Sequence, residues 1–461
     1  MRDPTASTSC LQGAPPISLR EPDVLQRYGC AAGAHIVFIG TTGLGSMVMR
    51  GQLTASVLNQ SFARHGAQSS YIGITAPNND TKQWAMVQTH FDNIGGPSAC
   101  VIIKYSVAWV GAACRRRGAV VLVDSIDNHR AYSKPTLHNE HYSAMDAIIV
   151  QTEAHAAMLA SWQRLAVVLP HPHGNLGAWG IADSVRPQIR GVGFVVQDAK
   201  NMPTRADMNT IVAACCRANV TLYLVSSRAD GMVIKPVLDA NCSSVYPPPT
   251  ADMVGSCRTD GGESDHKPVV KKARVLKLAG WWSLGNISSI RDTTLQRRYY
   301  DSPRLLEAID VGLVWRPGHQ QGGRIAVDNR PPTRMHWWWS HGIPVVGYPM
   351  MAYLDAARRA GYPEELLNLT TTEQIEMALR RLAPASERSC LQRLSWRGAH
   401  LSSPWYASLE LLAAVCAAAE RCGQPLRRGA QRSAGRSATR VGSTAEPLGV
   451  DLSIFDFPRG V

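Results

Sequence analysis

The sequence predicts an α/β protein made of two doubly wound parallel-sheet domains in series. Two observations carry this. Continuous apolar runs of about five or six residues alternate with segments of helical pattern, and that alternation stops near residue 178 and then restarts. Strands that are apolar throughout, rather than alternating with polar residues, belong to sheets buried on both faces, as parallel sheets covered by helices are. At 461 residues the chain is long enough for two cores. Its 45% hydrophobic and 18% charged content is ordinary for a globular protein and excludes wholesale disorder.

Residues 1–30 hold Asp3 and Glu21 and no apolar run, so they read as a flexible N-terminus and not as a secretory leader. The first domain is expected over 31–178. Its first strand is "HIVFIG" (35–40), and the glycine loop "GTTGLGSMVMRG" then leads into a helix ending near Gly66. Further strands are expected at 70–75, at "CVIIKYS" (100–106), "AVVLVD" (119–124), "AIIVQT" (147–152) and "AVVLP" (166–170), with helices at 107–118 and from Glu153. This is one Rossmann-like unit.

A second such unit is expected over 179–400. It opens with "GVGFVVQ" (191–197), an amphipathic helix over 205–218, "TLYLVSS" (221–227) and the helix-like "DGMVIKPVLDAN". Residues 246–273, rich in Pro, Gly and charge, read as an inserted loop. "RVLKLAGW", "DVGLVW" (310–315), a glycine-rich loop to Arg324 and "PVVGYP" (344–349) follow, then two helical segments to about 383. An apolar-faced helix over 401–422 closes the fold, and 423–461 is a basic disordered tail.

The formal net charge is +13, from 48 Lys and Arg against 35 Asp and Glu. Part of it sits in the tail, where Arg427, Arg428, Arg432, Arg436 and Arg440 lie among Ser, Gly and Ala with no acid between 421 and 445. That composition reads as a solvated segment, and any nucleic-acid role is confined to it. Elsewhere the positive charge suits an anionic small molecule. No stretch approaches the ~18 apolar residues of a membrane span. Eleven cysteines, without metal-like or disulfide-framework spacing, point to reduced thiols and an intracellular, cytoplasmic protein. His138 and His141 in "HNEH" do not make the zinc-binding His-Glu-x-x-His arrangement, and no metal is expected.

In open parallel sheets, ligands bind at the C-terminal ends of strands, and two such edges facing each other make a cleft. Gly43 and Gly45, after the first strand, allow a backbone to approach a ligand closely, or simply make a tight strand–helix turn. As a dinucleotide fingerprint the loop fails at its third position, Val48, and the second strand ends in Gly73-Ile74-Thr75 with no acid for a ribose. A nicotinamide oxidoreductase is therefore a minor alternative. Asp124 and Asp127, at and after the fourth strand, read either as a general base or hydroxyl-orienting pair, or as a helix cap or Asx turn. Lys200 follows the first strand of the second domain and Arg334 begins the helix before "GIPVV". Both come from one sheet edge, where together they could hold a diphosphate and stabilise it as it leaves.

The stretch "DNRPPTRMHWWWSHGIPVVGYP" (328–349) is the most unusual in the chain, since a core helix is expected to space its apolar residues rather than place three indoles together. A Pro and Thr before a cation, a helix, and then Gly342-Ile343-Pro344-Val345-Val346 resemble the nucleotide-sugar segment of GT-B-type glycosyltransferases, in particular the retaining, glycosyltransferase family 4-like members. Lys200-Asn201 is similar to that family's second-domain lysine loop, the loop at 40–45 to its N-terminal glycine loop, and Asp124–Asp127 stand where its first domain offers a His or Asp to the reacting sugar. In architecture the likeness spans 31–422. It implies two Rossmann-like domains facing across a cleft, a nucleotide-diphosphate sugar as donor substrate, an acceptor bound by the first domain, and neither metal nor cofactor. The chain departs from the pattern at two positions, eight apart, where many retaining members carry glutamates. Asn329 and Trp337 stand there, so the resemblance places them at the donor, with one indole stacked on the nucleotide base or capping the pocket and Trp338 and Trp339 packed on the sheet. The arginine before the family's lysine is also missing, with Gln197 nearest. The alternative consistent with these departures is a catalytically inactive relative that binds a nucleotide, a sugar or a protein.

Overall fold

Among the described residues, eleven strands, all paired in parallel, form two separate sheets. The computed structural model describes residues 32–41, 47–61, 67–74, 81–104, 108–126, 142, 144–169, 171–172, 185–196, 205–226, 276–277, 309–315, 330–423 and 426. The first sheet contains β1 (His35–Thr41), β2 (Gln68–Ile74), β3 (Ala99–Ile103), β4 (Val120–Asp124), β5 (Ala147–Val150) and β6 (Ala166–Val168). The second contains β7 (Gly191–Val196), β8 (Thr221–Ser226), β9 (Leu276–Lys277), β10 (Val311–Val314) and β11 (Val345–Gly347). The α-helices are α1 (Leu53–Ser61), α2 (Thr81–Asn93), α3 (Ala108–Arg116), α4 (Glu153–Ser161), α5 (Arg205–Arg217), α6 (Thr333–Trp339), α7 (Met351–Ala360), α8 (Thr372–Arg381), α9 (Ala385–Leu401) and α10 (Pro404–Arg421).

The first sheet runs β2-β1-β3-β4-β5-β6. Its central strands β1, β3, β4 and β5 are almost wholly apolar because successive side chains enter two different cores. Ile36, Phe38, Val101, Ile103, Leu122 and Ile149 face α1 and α10, whereas Val37, Ile39, Cys100, Ile102, Val121 and Ile148 face α2, α3 and α4. Helix α10 lies last in sequence, after the second sheet, yet Leu409, Leu412, Val415 and Ala418 belong to the first sheet's core. The chain therefore crosses between the two domains twice, once after β6 and once between α9 and α10.

The second sheet runs β11-β10-β7-β8-β9. Asp310, just before β10, ties its N-terminal edge together, accepting from the backbone N–H groups of Arg190 (2.7 Å) and Gly191 (3.1 Å) and pairing with Arg186 (2.8 Å). Two doubly wound parallel-sheet domains are thus present, as the apolar runs predict. The helix-like "DGMVIKPVLDAN", the inserted loop 246–273 and the tail beyond Leu426 lie outside the described residues.

Two sequence expectations are corrected here. Cys100 and Cys114 are not thiols but a disulfide, joining β3 to α3 inside the first domain's core with Cα atoms 6.3 Å apart. A strand and the helix that returns over it bring together residues whose spacing along the chain carries no such signal. Cys216, Cys390 and Cys416 are disulfide-bonded too, while Cys215 and Cys422 are free. The second correction concerns the tryptophan helix. All seven residues of α6 are buried, so spaced apolar positions are not required: this helix has no solvent face.

The sheet makes room for the indoles with glycines. A Cβ on Gly193 or on Gly312 would stand 2.4 Å from atoms of Trp338, and one on Gly398 would stand 2.2 Å from Trp339. Trp337 packs edge-on against Trp338, with ring centroids 4.6 Å apart, and lies 4.5 Å from the His341 ring.

Candidate functional site

Strand order identifies where each sheet opens. In the first, the chain leaves β1 for β2 on one side and β3 on the other; in the second, β8 and β10 lie on opposite sides of β7. Ligands of open parallel sheets bind outside the C-terminal ends of the strands at such points.

At the second sheet's switch point sits Arg334. The Pro331-Pro332 pair fixes the chain entering α6, and His336 N–H donates to the Pro332 carbonyl at 3.0 Å. From the first turn of α6 the Arg334 side chain reaches back over the sheet. Its Nη1 donates to the carbonyl of Trp315, the residue after β10, at 3.1 Å, and its Cζ lies 5.7 Å from the Phe194 ring on β7. One guanidinium thus spans the two strands that flank the switch point, at only 1% exposure.

In the first domain, Asp124 is the last residue of β4 and is likewise buried. Its Oδ2 lies 3.0 Å from Nε of Arg50, a fully buried ion pair. Arg50 Nη2 also donates to Gln151 Oε1 (2.9 Å) and to the Leu169 carbonyl (3.1 Å), so one guanidinium gathers the ends of β4, β5 and β6. Burial lowers the Arg50 pKa, and the Asp124 charge opposes that shift. Arg50 sits in the five-residue π-helical turn Val48–Gln52 that precedes α1. In the sequence it stands inconspicuously at the end of the glycine loop "GTTGLGSMVMRG". Its only signal is a lone cation at the start of a helix that otherwise packs on the sheet.

The two sheet edges are linked through two histidines. His171, on the segment that crosses between domains, donates from Nδ1 to the Pro172 carbonyl at 3.0 Å, and burial followed by the nearby Arg50 charge holds it well below the usual imidazole range. The His171 carbonyl accepts from Nδ1 of His336 on α6 at 2.9 Å. A carbonyl can only accept, so His336 carries its proton on Nδ1 and presents a bare Nε2. Burial is the main cause that lowers its pKa to about 4. The His336 ring lines a cleft between the domains, about 410 Å³ including open solvent, together with Gln151 and Val168 of the first domain and Trp339, Asp355, Arg359 and Ser402 of the second.

Of the residues singled out in the sequence, Asp124 and Arg334 are both placed at the C-terminal edge of their own sheet. Trp337 is 6% exposed, its ring against Trp338 and His341. Gly43, Gly45, Asp127, Lys200 and Asn329 lie outside the described residues, as do His138 and His141. Among the described residues, no group of three His, Cys, Asp or Glu side chains is arranged to hold a metal ion, and no helix is long and apolar enough to cross a membrane.

No family model matches this chain, and no curated protein matches it in sequence. Solved structures similar to it in outline include the Anabaena protein HepE in complex with UDP and glucose, with 9% identity, a TM-score of 0.39, and 82% of this chain and 98% of that one covered. WaaG, a glycosyltransferase involved in lipopolysaccharide biosynthesis, overlaps at 15% identity and a TM-score of 0.39, over 84% of this chain and 100% of the other. A mutant O-GlcNAc transferase of Thermobaculum terrenum overlaps at 13% identity and a TM-score of 0.42, over 85% and 69%. Likeness at this level says nothing of activity.

Proposed function

We propose that this chain is a GT-B-like glycosyltransferase that moves a sugar from a nucleotide-diphosphate donor to an acceptor held by the first domain. One observation carries the reading: Arg334 spans β7 and β10 at the switch point of the second sheet. A ligand there would meet a fixed positive charge, and a departing diphosphate gains negative charge as the glycosidic bond breaks, so the cation stabilises the transition state more than the ground state. Because Arg334 is buried, water and salt screen it less than they would a surface cation, and its field reaches past hydrogen-bond distance. Lys200, which follows β7 in the sequence, is proposed as the second cation. With the charge supplied by side chains, the step needs no metal. Retention of configuration and the family 4-like assignment belong to the same proposal and rest on the "GIPVV" resemblance alone.

In this reading Asp124 orients and does not take a proton. Protonating it would strand the buried Arg50 charge 3.0 Å away. Asp127 is then the first-domain carboxylate to test as the catalytic group.

The test is a thermal-shift series with UDP, GDP, ADP and NAD on the full chain and on two variants, Arg334→Met and Arg334→Lys. Stabilisation by one nucleoside diphosphate, lost in Arg334→Met and partly kept in Arg334→Lys, supports the donor site and names the base. No stabilisation of the folded wild-type chain by any diphosphate would sink the transferase reading.

A second reading is favoured by a specific feature of the site. Trp337 occupies the place of a donor-binding acid and is engaged in packing, and Asp124 is consumed in an ion pair. Both suit a scaffold that binds a nucleotide or sugar without turnover. Binding of a diphosphate with no hydrolysis or transfer from the matching nucleotide sugar would decide for it.

A further inference from the structure

Helix α4 begins at the C-terminal end of β5, and its first turn carries backbone donors that the helix cannot satisfy itself. Thr152 caps it from within, its Oγ1 accepting from His155 N–H at 3.2 Å. The N–H of Glu153 is satisfied from outside the domain, by Oδ2 of Asp355 on α7 at 2.9 Å. One turn further along α7, Arg359 Nη2 lies 2.7 Å from the Glu153 carboxylate. The exchange is reciprocal: the second domain gives a carboxylate to the positive end of α4, and the first domain gives a carboxylate to Arg359. Arg358 holds the other oxygen of Asp355 at 2.9 Å, which fixes its direction.

The two halves of this contact differ in weight. Glu153 is solvent-exposed and Arg359 half-buried, and pairs so open to water contribute little. Asp355 is 5% exposed, and its charge-assisted bond to a backbone N–H is of the stronger kind. The contact is polar throughout, unlike the apolar packing of α10 on the first domain, so it can open without exposing a core. It also has the right place. Asp355 and Arg359 line one side of the interdomain cleft, while Leu401 and Ser402, where the chain crosses back between domains, line another.

We propose that Asp355, Arg359 and the N-terminus of α4 form an interdomain clasp that holds the cleft shut without a bound ligand, with the α9–α10 junction as its hinge. Releasing Asp355 from Glu153 opens the cleft; re-forming the bond closes it. The proposal does not rest on the transferase reading and holds for whatever the cleft admits.

The full chain tests it without any ligand. Amide hydrogen exchange at Glu153 reads the clasp directly: in Asp355→Ala it should speed up by about tenfold or more, while amides in β5 keep their rates. Small-angle scattering reads the opening. Asp355→Ala should enlarge the radius of gyration, whereas Asp355→Asn, which keeps an acceptor for the Glu153 N–H, should stay close to the wild type. An unchanged Glu153 exchange rate in Asp355→Ala overturns the proposal. So does an Asp355→Ala variant that scatters like the wild type.

Discussion

Trp338 lies against Gly312 so closely that a Cβ on the glycine would stand 2.4 Å from the indole Cγ. Gly193, on the neighbouring strand β7, meets the far edge of the same ring, so β10 and β7 together form a trough one indole wide. Real Cβ contacts do not come that close, and the ring is enclosed on its other sides. Gly312→Ala should therefore destabilise the fold by about 1–3 kcal/mol through overpacking. The same substitution in a Trp338→Leu background should cost less, because the smaller side chain leaves space for the methyl. Denaturant midpoints of the four species measure the coupling. Additive losses would mean that the strand and not the indole resents the methyl.

The Arg50–Asp124 pair makes a different stability prediction. With both side chains at 2% exposure, removing one partner leaves a buried charge uncompensated. Asp124→Leu alone is expected to lose about 3–5 kcal/mol, whereas Arg50→Met with Asp124→Leu should recover much of that loss. Chemical denaturation of the single and double variants decides it. A double variant no better than the single would show that the bonds from Arg50 to Gln151 and Leu169 matter more than the ion pair.

Buried imidazoles set the response to acid. His35, His336, His341 and His400 are each lowered to about 4, in every case with burial as the first cause. A His in the unfolded chain titrates near 6.5, so between those values the unfolded state binds protons that the folded state refuses. Stability from these groups is complete above about pH 6.5 and drains away as pH falls toward 4. For the fully buried His336 the loss is on the order of 3 kcal/mol. His336→Asn keeps an N–H for the His171 carbonyl but cannot titrate, so a plot of stability against pH should be shallower for that variant between pH 6.5 and 4. Parallel curves for the two proteins would remove His336 from the account.

The sequence makes the two-sheet architecture readable because the central strands of the first sheet face a core on both sides, so that "HIVFIG" or "AVVLVD" carries no polar interruption to mislead. It also makes the two sheet edges readable, because Asp124 ends an apolar run and Arg334 follows the Pro331-Pro332 pair that opens a helix. What it leaves unreadable is partnership. Nothing in "SMVMRG" says that Arg50 will reach three strand ends, since Asp124, Gln151 and Leu169 come from three later segments. Cys100 and Cys114 resemble any other thiols until a strand and its helix fold onto each other. The three tryptophans contradict helical patterning only if one face of α6 must meet water, and the glycines that let it be enclosed lie on β7, β10 and α9.

Gly342 offers a last test, since two separate penalties meet there. It ends α6 in the left-handed region, at φ 67°, with its N–H on the Trp339 carbonyl and the next N–H on that of Trp338. A Cβ at this position would also stand 2.5 Å from Nε1 of Trp396 on α9. Gly423, after α10, shares the first penalty at φ 61° but has nothing within 4 Å of its Cβ position. Gly423→Ala is therefore expected to lose about 1–2 kcal/mol from the backbone alone. Gly342→Ala should lose that and about 1–3 kcal/mol more from the collision. Shrinking the neighbour with Trp396→Leu should return the Gly342→Ala increment to the Gly423 value while leaving Gly423→Ala unchanged. Equal losses at the two glycines in the wild-type background would show that α9 yields to the methyl and that the seam between α6 and α9 is softer than its packing implies.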